Sequence, residues 1–441
     1  MKSGKNKFLI LGLLSIIIIA TGWFLVNSNY SHTKPFEQDT IITNPEKKVD
    51  SSEFSTEFLK AVISDEDSNE QVIRVSNPKD LDVPYQIDDK AGKSIRRIFS
   101  GRRINIAITG VDSRLGTNTR HADANHILSI LIDSGRIEIY SIPRDTPADA
   151  GYDDTTGQNK LTVVRAAKGK HAYLKEAARI AGLDRIHYSV EIGFSQAMGI
   201  LEWLGFRETG SALQVLRSRT GLGGDDYQRT YNQAQFIRQM ILKHFKKFTG
   251  LLGDMLLRGS LLLVESDIPS STAGEIIKKL ESTSFPRSPD DITVRIRPPI
   301  SVNYKVYDFT DKKVVQLLRA KIESFNRKNI DSSDSTHHGF SESNIVSRLN
   351  FSINKASSDS LKNPGQVISR LRTYFDQRAW LQVSDSSKRA NIRERIQNLL
   401  CSAYLRKKQN DNAVYVKKVV DAEKLLFSNT VGKQSNNEST R

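Results

Sequence analysis

The sequence predicts an α/β protein: a layered domain on a mixed central sheet, with one apolar N-terminal helix before it and a helical extension after it. Three observations lead there. Short runs of alternating apolar residues recur between residues 103 and 192. Segments with helical spacing separate the later runs, the pattern of a layered sheet. Asp133-Ser134-Gly135 is a hairpin turn, which makes the sheet mixed.

The elements follow in chain order. Lys2, Lys5 and Lys7 precede an apolar run from Phe8 to Val26. Roughly 19 residues of helix at about 1.5 Å each span about 28 Å, close to the hydrocarbon thickness of a bilayer. The lysines predict that residues 1–7 stay cytoplasmic, and Trp23 and Phe24 suit the outer interface. A cleaved signal peptide has a shorter apolar stretch and a small-residue cleavage site. Here Val26-Asn27-Ser28-Asn29 follows, so an uncleaved anchor over 8–26 in the cell membrane is expected, with the rest of the chain extracytoplasmic. Residues 27–100 are polar, with Pro35, Pro45, Pro78 and Pro84, and read as an arm carrying one short helix from Phe54 to Ile63.

A compact domain is expected over 101–330. Ile104–Ile108, His126–Ile132, Arg136–Ile142 and Tyr188–Ile192 read as strands. Leu174–Ala181, Phe194–Leu204 and Asp226–Phe248 read as helices. A serine-rich stretch, Asp331–Ser335, closes the domain. Residues 331–441 read as a basic extension, helical from Gly365 to Phe427, with a disordered tail from Lys433; a solvated appendage is expected.

The net charge of +15 would ordinarily suggest nucleic acid. An anchored, extracytoplasmic chain excludes that partner and suits anionic lipid headgroups or phosphorylated glycans instead. Cys401 is the only cysteine, so an intrachain disulfide and a cysteine metal site are both excluded. Its place after Ile396, Leu399 and Leu400 predicts burial in a helix.

The chemistry concentrates where strands end. Ser141-Ile142-Pro143-Arg144-Asp145-Thr146 closes a strand and enters a loop, the place where open α/β sheets bind ligands. Gly110-Val111-Asp112-Ser113-Arg114 does the same upstream. Arg217 and Arg219, two apart, face the same way on an extended chain. Guanidinium forks match phosphate oxygens, and converging arginines repel one another unless an anion sits among them. Stepping back by fours from Ile241 and Ile237 puts Gln233 and Arg229 on the inward stripe of the Asp226–Phe248 helix. Gly221-Leu222-Gly223-Gly224 loops in ahead of it, which suits anion capture; a solvated Arg229 on a protruding first turn fits the same spacing. Asp112 and Asp123 can share one sheet edge and hold a cation together with phosphate oxygens, or can simply cap turns. His121 and His126 flank Asp123 without a third zinc ligand at a standard spacing.

In their order and spacing these motifs resemble the LytR-CpsA-Psr family, over about residues 100 to 300. The residues that carry it are Gly110–Arg114, Asp123, Ser141–Thr146, Asn159-Lys160-Leu161, Arg217-Ser218-Arg219, Arg229 and Gln233. The resemblance implies a three-layer α/β/α domain with a mixed central sheet and a membrane-anchored glycopolymer phosphotransferase. Such an enzyme takes a polyprenyl-pyrophosphate-linked glycan, buries the lipid in an apolar cavity, and passes the glycan phosphate to a cell-wall acceptor glycan such as peptidoglycan. By motif position, Asp112 and Asp123 would hold Mg2+. Arg144, Arg217, Arg219 and Arg229 would act on the pyrophosphate, with Arg114, Lys160 and Gln233 binding substrate. The chain departs from the family pattern at His121, Ala124, Asn232 and Leu204-Gly205-Phe206. A polyprenyl-pyrophosphate sensor without transfer activity, and a lipid-pyrophosphate hydrolase, use the same site.

Overall fold

The computed structural model describes residues 83–93, 102–112, 115–116, 120–206, 208–219, 225–330 and 342–438. The expected anchor over 8–26, the helix from Phe54 to Ile63, Arg114 and Gly221–Gly224 lie outside the described residues. Among the described residues no helix is long and apolar enough to cross a membrane.

The chain runs through β1 (Gln86–Asp88), β2 (Arg103–Asp112), β3 (His121–Leu131), β4 (Arg136–Ile142), α1 (Leu161–Ala167), α2 (Gly169–Ala181), β5 (Tyr188–Gly193), α3 (Phe194–Trp203) and α4 (Thr209–Arg217). It continues with α5 (Asp226–His244), α6 (Gly250–Leu263), β6 (Glu265–Ser266), α7 (Ser270–Ser282), β7 (Ile292–Ile296), β8 (Tyr304–Val306) and α8 (Lys312–Ile330). The central sheet has the order β6-β5-β2-β3-β4-β7. The β2–β3, β3–β4 and β5–β6 pairs are antiparallel, whereas β2–β5 and β4–β7 are parallel, so the sheet is mixed as the hairpin predicts.

Alternation decides which helices cover which face. Ile104, Ile106, Ile130, Ile137 and Ile139 point to one face and pack with Tyr231 and Ala234 of α5 and Ile276 and Leu280 of α7. Ile127 and Ile142 point the other way, against Leu161 and Val164 of α1 and Tyr173 and Ala177 of α2. Each such buried aliphatic side chain contributes about 1.5–3 kcal/mol. Three layers result.

Two sequence expectations shift. β3 begins five residues before the alternation does, because polar His121, Asp123 and Asn125 continue the pairing with β2 at its functional end. Residues 83–93, read as the end of a polar arm, belong to the fold. β1 pairs with β8, Val83 and Ala91 are buried, and Tyr231 Oη donates to Asp88 Oδ2 at 2.7 Å.

The extension is helical as expected, with α9 (Glu342–Asp359), α10 (Pro364–Asp376), α11 (Ser386–Arg406) and α12 (Asn410–Glu438); α12 continues through Lys433, where the sequence reading placed a disordered tail. It surrounds its own core, including Leu349, Leu371, Phe375, Trp380, Ile396 and Val420, with Cys401 buried at its margin. The expected solvated appendage is corrected by its contacts with α3 and α6. Gln382 Nε2 donates to Ser195 Oγ at 2.6 Å, Arg389 Nη1 pairs with Glu202 at 2.7 Å, and Arg378 Nη2 donates to the Leu262 carbonyl at 3.0 Å. Its cations are largely engaged internally, Arg370 with Asp359, Arg372 with Asp376 and Arg393 with Glu423.

Candidate functional site

The site lies at one end of the sheet, where β2 and β4 finish and β3 begins. The β2–β3 register pairs Gly110 with Ala124 but Val111 with Ala122, so Asp123 is the extra residue of a bulge. A bulge bends its strand and re-aims a side chain. Glycine at 110 permits the approach, since a Cβ there would lie 2.9 Å from that of Ala124. Asp112, the last residue of β2, stands opposite His121. Both predicted carboxylates therefore reach the same sheet edge.

Beyond β4, backbone pairing holds the Pro143–Thr146 loop against the start of α1. Leu161 N donates to the Thr146 carbonyl at 2.9 Å and Thr162 N to the Arg144 carbonyl at 3.0 Å. That pairing brings Lys160 beside Asp145, with Nζ 3.6 Å from Oδ1. Arg144 Nη1 donates to Asp123 Oδ1 at 2.7 Å, and the Arg144 backbone N–H donates to Asp226 Oδ2 at 3.1 Å. Arg219 reaches Asp145 at 3.1 Å and Asp226 at 3.3 Å. Arg229 meets Asp226 at 2.5 Å and is only 5% exposed, which decides for the inward-facing reading over the solvated one. Burial lowers the Arg229 pKa from its ordinary value; Asp226 opposes this, and Arg219 and Arg144 add to it.

Four predicted cations, Arg144, Arg219, Arg229 and Lys160, thus come together with three carboxylates. Asp145 and Asp226 are site residues that motif reading did not assign. The signal for Asp226 was its place in the first turn of a helix whose next turn carries an inward arginine. These carboxylates correct one expectation. The convergence of arginines does not by itself require an anionic ligand, because the chain supplies counter-charges of its own.

Two predicted residues stand elsewhere. Arg217 is the last residue of α4, not part of an extended segment, so it does not share a face with Arg219. It is exposed, and its guanidinium lies 5.2 Å from the centre of the Phe194 ring. Gln233 donates to the Leu216 carbonyl at 3.0 Å, bracing α4 against α5. His126 is buried below the site with Nδ1 2.8 Å from Ser141 Oγ. Burial pushes its pKa down to about 4, hydrogen bonding with Gln233 opposes the shift, and the Arg229 charge reinforces it. The departure at Asn232 is also accounted for, since its Oδ1 accepts from Gln228 Nε2 at 2.8 Å within α5. Arg120, beside the departure at His121, serves another purpose. With Arg165 it holds the buried Glu191 at 3.0 and 2.7 Å. Burial works against the Glu191 charge, but the two arginines prevail and hold its pKa below the usual range.

Among the described residues no three His, Cys, Asp or Glu side chains gather as metal ligands. Asp112 and Asp123 lie at the same end of the sheet, where a magnesium ion would need phosphate oxygens to complete its shell. A cavity of about 890 Å³ opens beside Asp145 and Lys160, lined by Tyr152, Asp154, Asn159 and Arg179 among others. It is polar, unlike the apolar cavity that the resemblance implies.

Fold and site together define an α/β/α protein with a mixed sheet and an arginine–aspartate cluster at one sheet end. Residues 60–198 match the LytR_cpsA_psr family, the family that the motifs of this chain resemble. The match ends before Arg219 and Arg229, which only the fold brings to the rest. Solved structures similar to this chain include B. subtilis TagV, at 16% identity over 51% of this chain and 99% of that one with a TM-score of 0.37. Others are a transcriptional regulator from Enterococcus faecalis (16% identity, 52% and 93% covered, TM-score 0.35) and TagT bound to LIIa-WTA (16%, 52% and 93%, TM-score 0.34). No curated protein matches the chain.

Proposed function

We propose that this chain is a cell-wall glycopolymer transferase, and specifically a membrane-anchored, magnesium-assisted phosphotransferase. It would take a glycan phosphate from a polyprenyl-pyrophosphate carrier and join it to a hydroxyl of a cell-envelope glycan such as peptidoglycan. The family match supports the general role. The observation that carries the specific reading is the meeting of Arg144, Arg219 and Arg229 around Asp123, Asp145 and Asp226 at the sheet end.

The chemistry asked of such a site is charge placement. Phosphoryl transfer needs its groups positioned and its developing negative charge stabilised more than it needs covalent participation. The acceptor hydroxyl oxygen bonds to the glycan-linked phosphorus, the bond to the bridging oxygen breaks, polyprenyl phosphate departs with that oxygen, and the hydroxyl proton passes to the departing phosphate or to water. Arg144 and Arg219 are positioned to exchange Asp145 for phosphate oxygens, each charge-assisted bond worth roughly 1.5–3 kcal/mol net. Arg229, fixed by Asp226, supplies a buried positive field behind them. A magnesium ion on Asp112 and Asp123 would neutralise charge on the pyrophosphate. The exposed Arg217 would meet substrate further out, and by motif position Arg114 would bind substrate too.

The test is release of polyprenyl phosphate from a lipid-linked glycan by the full chain with magnesium. Release together with a glycan–acceptor adduct is expected. Tight lipid binding without release would replace the transferase by a sensor. Free glycan phosphate with no adduct would replace it by a hydrolase.

A further inference from the structure

The C-terminal bundle turns back twice at one end, between α9 and α10 over residues 360–363 and between α11 and α12 over 407–409. The two turns lie side by side. Arg406 Nη1 donates to the Ser360 carbonyl at 2.6 Å and to the Leu361 carbonyl at 3.4 Å. Together they expose two leucines, Leu361 at 79% and Leu405 at 53%, beside the exposed cations Lys362, Arg406, Lys407 and Lys408. Deeper in the bundle the arginines have carboxylate partners, and Asp359 is taken by Arg370. No carboxylate among the described residues pairs with these four cations, although Asp411 stands nearby in the first turn of α12.

Lys408 adds an independent sign. α11 ends with the Lys408 N–H donating to the Leu405 carbonyl at 3.0 Å and the Gln409 N–H to the Tyr404 carbonyl at 2.9 Å. Lys408 itself has φ 58, in the left-handed region. Glycine is the usual residue at such a helix end, because a Cβ is strained there. A lysine holds the position here, and backbone strain kept at an exposed charge marks a side chain retained for its function.

Charge alone would serve a soluble polyanion as well as a membrane. The leucines decide between them. An apolar side chain gains by leaving water only where hydrocarbon lies beneath the anionic groups, as it does in a bilayer and does not in a phosphate-bearing glycan. We propose that this basic, leucine-tipped end of the bundle docks on a membrane surface rich in anionic phospholipid. The inference is independent of the transferase reading, since neither turn contains a residue of the phosphate site.

The test uses the full chain with Cys401→Ala and Gln409→Cys, which leaves one exposed thiol in the second turn for an environment-sensitive fluorophore. The labelled chain is placed in vesicles with brominated acyl chains, made either of phosphatidylglycerol and phosphatidylcholine or of phosphatidylcholine alone. Quenching is expected with phosphatidylglycerol and not without it. Adding Lys408→Gly should lower the ratio of docked to free tip about 5-fold, as loss of one cation near an anionic surface implies. Its melting temperature should be no lower, because glycine relieves the strain. Leu361→Ser with Leu405→Ser should also reduce quenching. Quenching that is absent from both vesicles, or equal in both, overturns the proposal. Undiminished quenching in Lys408→Gly overturns the part played by charge, and undiminished quenching in the double serine variant overturns insertion of the leucines. A fluorescence change with soluble poly(glycerol phosphate), without quenching by either vesicle, would replace the membrane by an anionic polymer.

Discussion

Arg144 Nη1 donates to Asp123 Oδ1 across 2.7 Å, joining the loop after β4 to the bulge in β3. The pair unites a proposed pyrophosphate ligand with a proposed metal ligand. A planar guanidinium suits the place, because it can bond Asp123 and still present N–H groups to a phosphate.

Arg144→Ala should reduce release of polyprenyl phosphate about 100-fold or more, the scale seen when a donor to developing negative charge is removed. Arg144→Lys should recover little of it, since an ammonium lacks the fork. Release kinetics on a lipid-linked glycan at saturating magnesium provide the check. Activity within a few-fold of wild type would remove Arg144 from the mechanism.

Asp226 accepts from the Arg144 backbone N–H and forms ion pairs with Arg219 and Arg229. Asp226→Ala should destabilise the chain by roughly 3–5 kcal/mol, because Arg229 is then a buried charge without its closest counter-ion. Pyrophosphate should restore part of the loss in urea titrations, as a ligand that binds only the folded state does. Arg217→Ala, at an exposed helix end, should change stability by less than about 0.5 kcal/mol.

His126 makes stability depend on pH. Its pKa is held at about 4 when folded, against an ordinary 6.5. The unfolded chain therefore binds an extra proton between these values, and stability is present above pH 6.5 and drains away as pH falls towards 4. The difference is on the order of 3 kcal/mol. His126→Asn should flatten the pH dependence of urea unfolding across that window. A slope identical to wild type would show that other groups set it.

Glu423 is fully buried in the bundle, where Trp380 Nε1 donates to it at 2.9 Å and Arg393 pairs with it at 3.0 Å. Burial raises its pKa, while Arg393 and Trp380 oppose the rise. Glu423→Ala should cost about 3–5 kcal/mol by leaving Arg393 unpaired, with an early loss of the buried Trp380 fluorescence signal. Glu423→Gln should cost less, since it still accepts from Trp380.

Much of the sheet could be read from the chain. Ile104–Ile108 and Arg136–Ile142 alternate because one face of each strand packs on α5 and α7 and the other on α1 and α2. The inward position of Arg229 was legible for a similar reason, as helical spacing carries an apolar stripe onward into polar residues. The first half of β3 was not legible, because His121–Asn125 serves the site and lacks an apolar period. Arg217 was misplaced because spacing of two means one face only on a strand, and α4 runs through to that residue.

By itself the sequence determined the α/β class, the strand ends that carry chemistry, and the family that residues 60–198 match. These are local matters of periodicity, turn residues and motif order. The tertiary structure alone decided that Asp145 and Asp226 would neutralise the arginines, that Arg217 would stay outside them, and that the Gly116 amide would find Gln377, 261 residues away. Such pairings join residues distant along the chain. Charge and hydrogen-bond partners are fixed by distance in space, which no local pattern encodes.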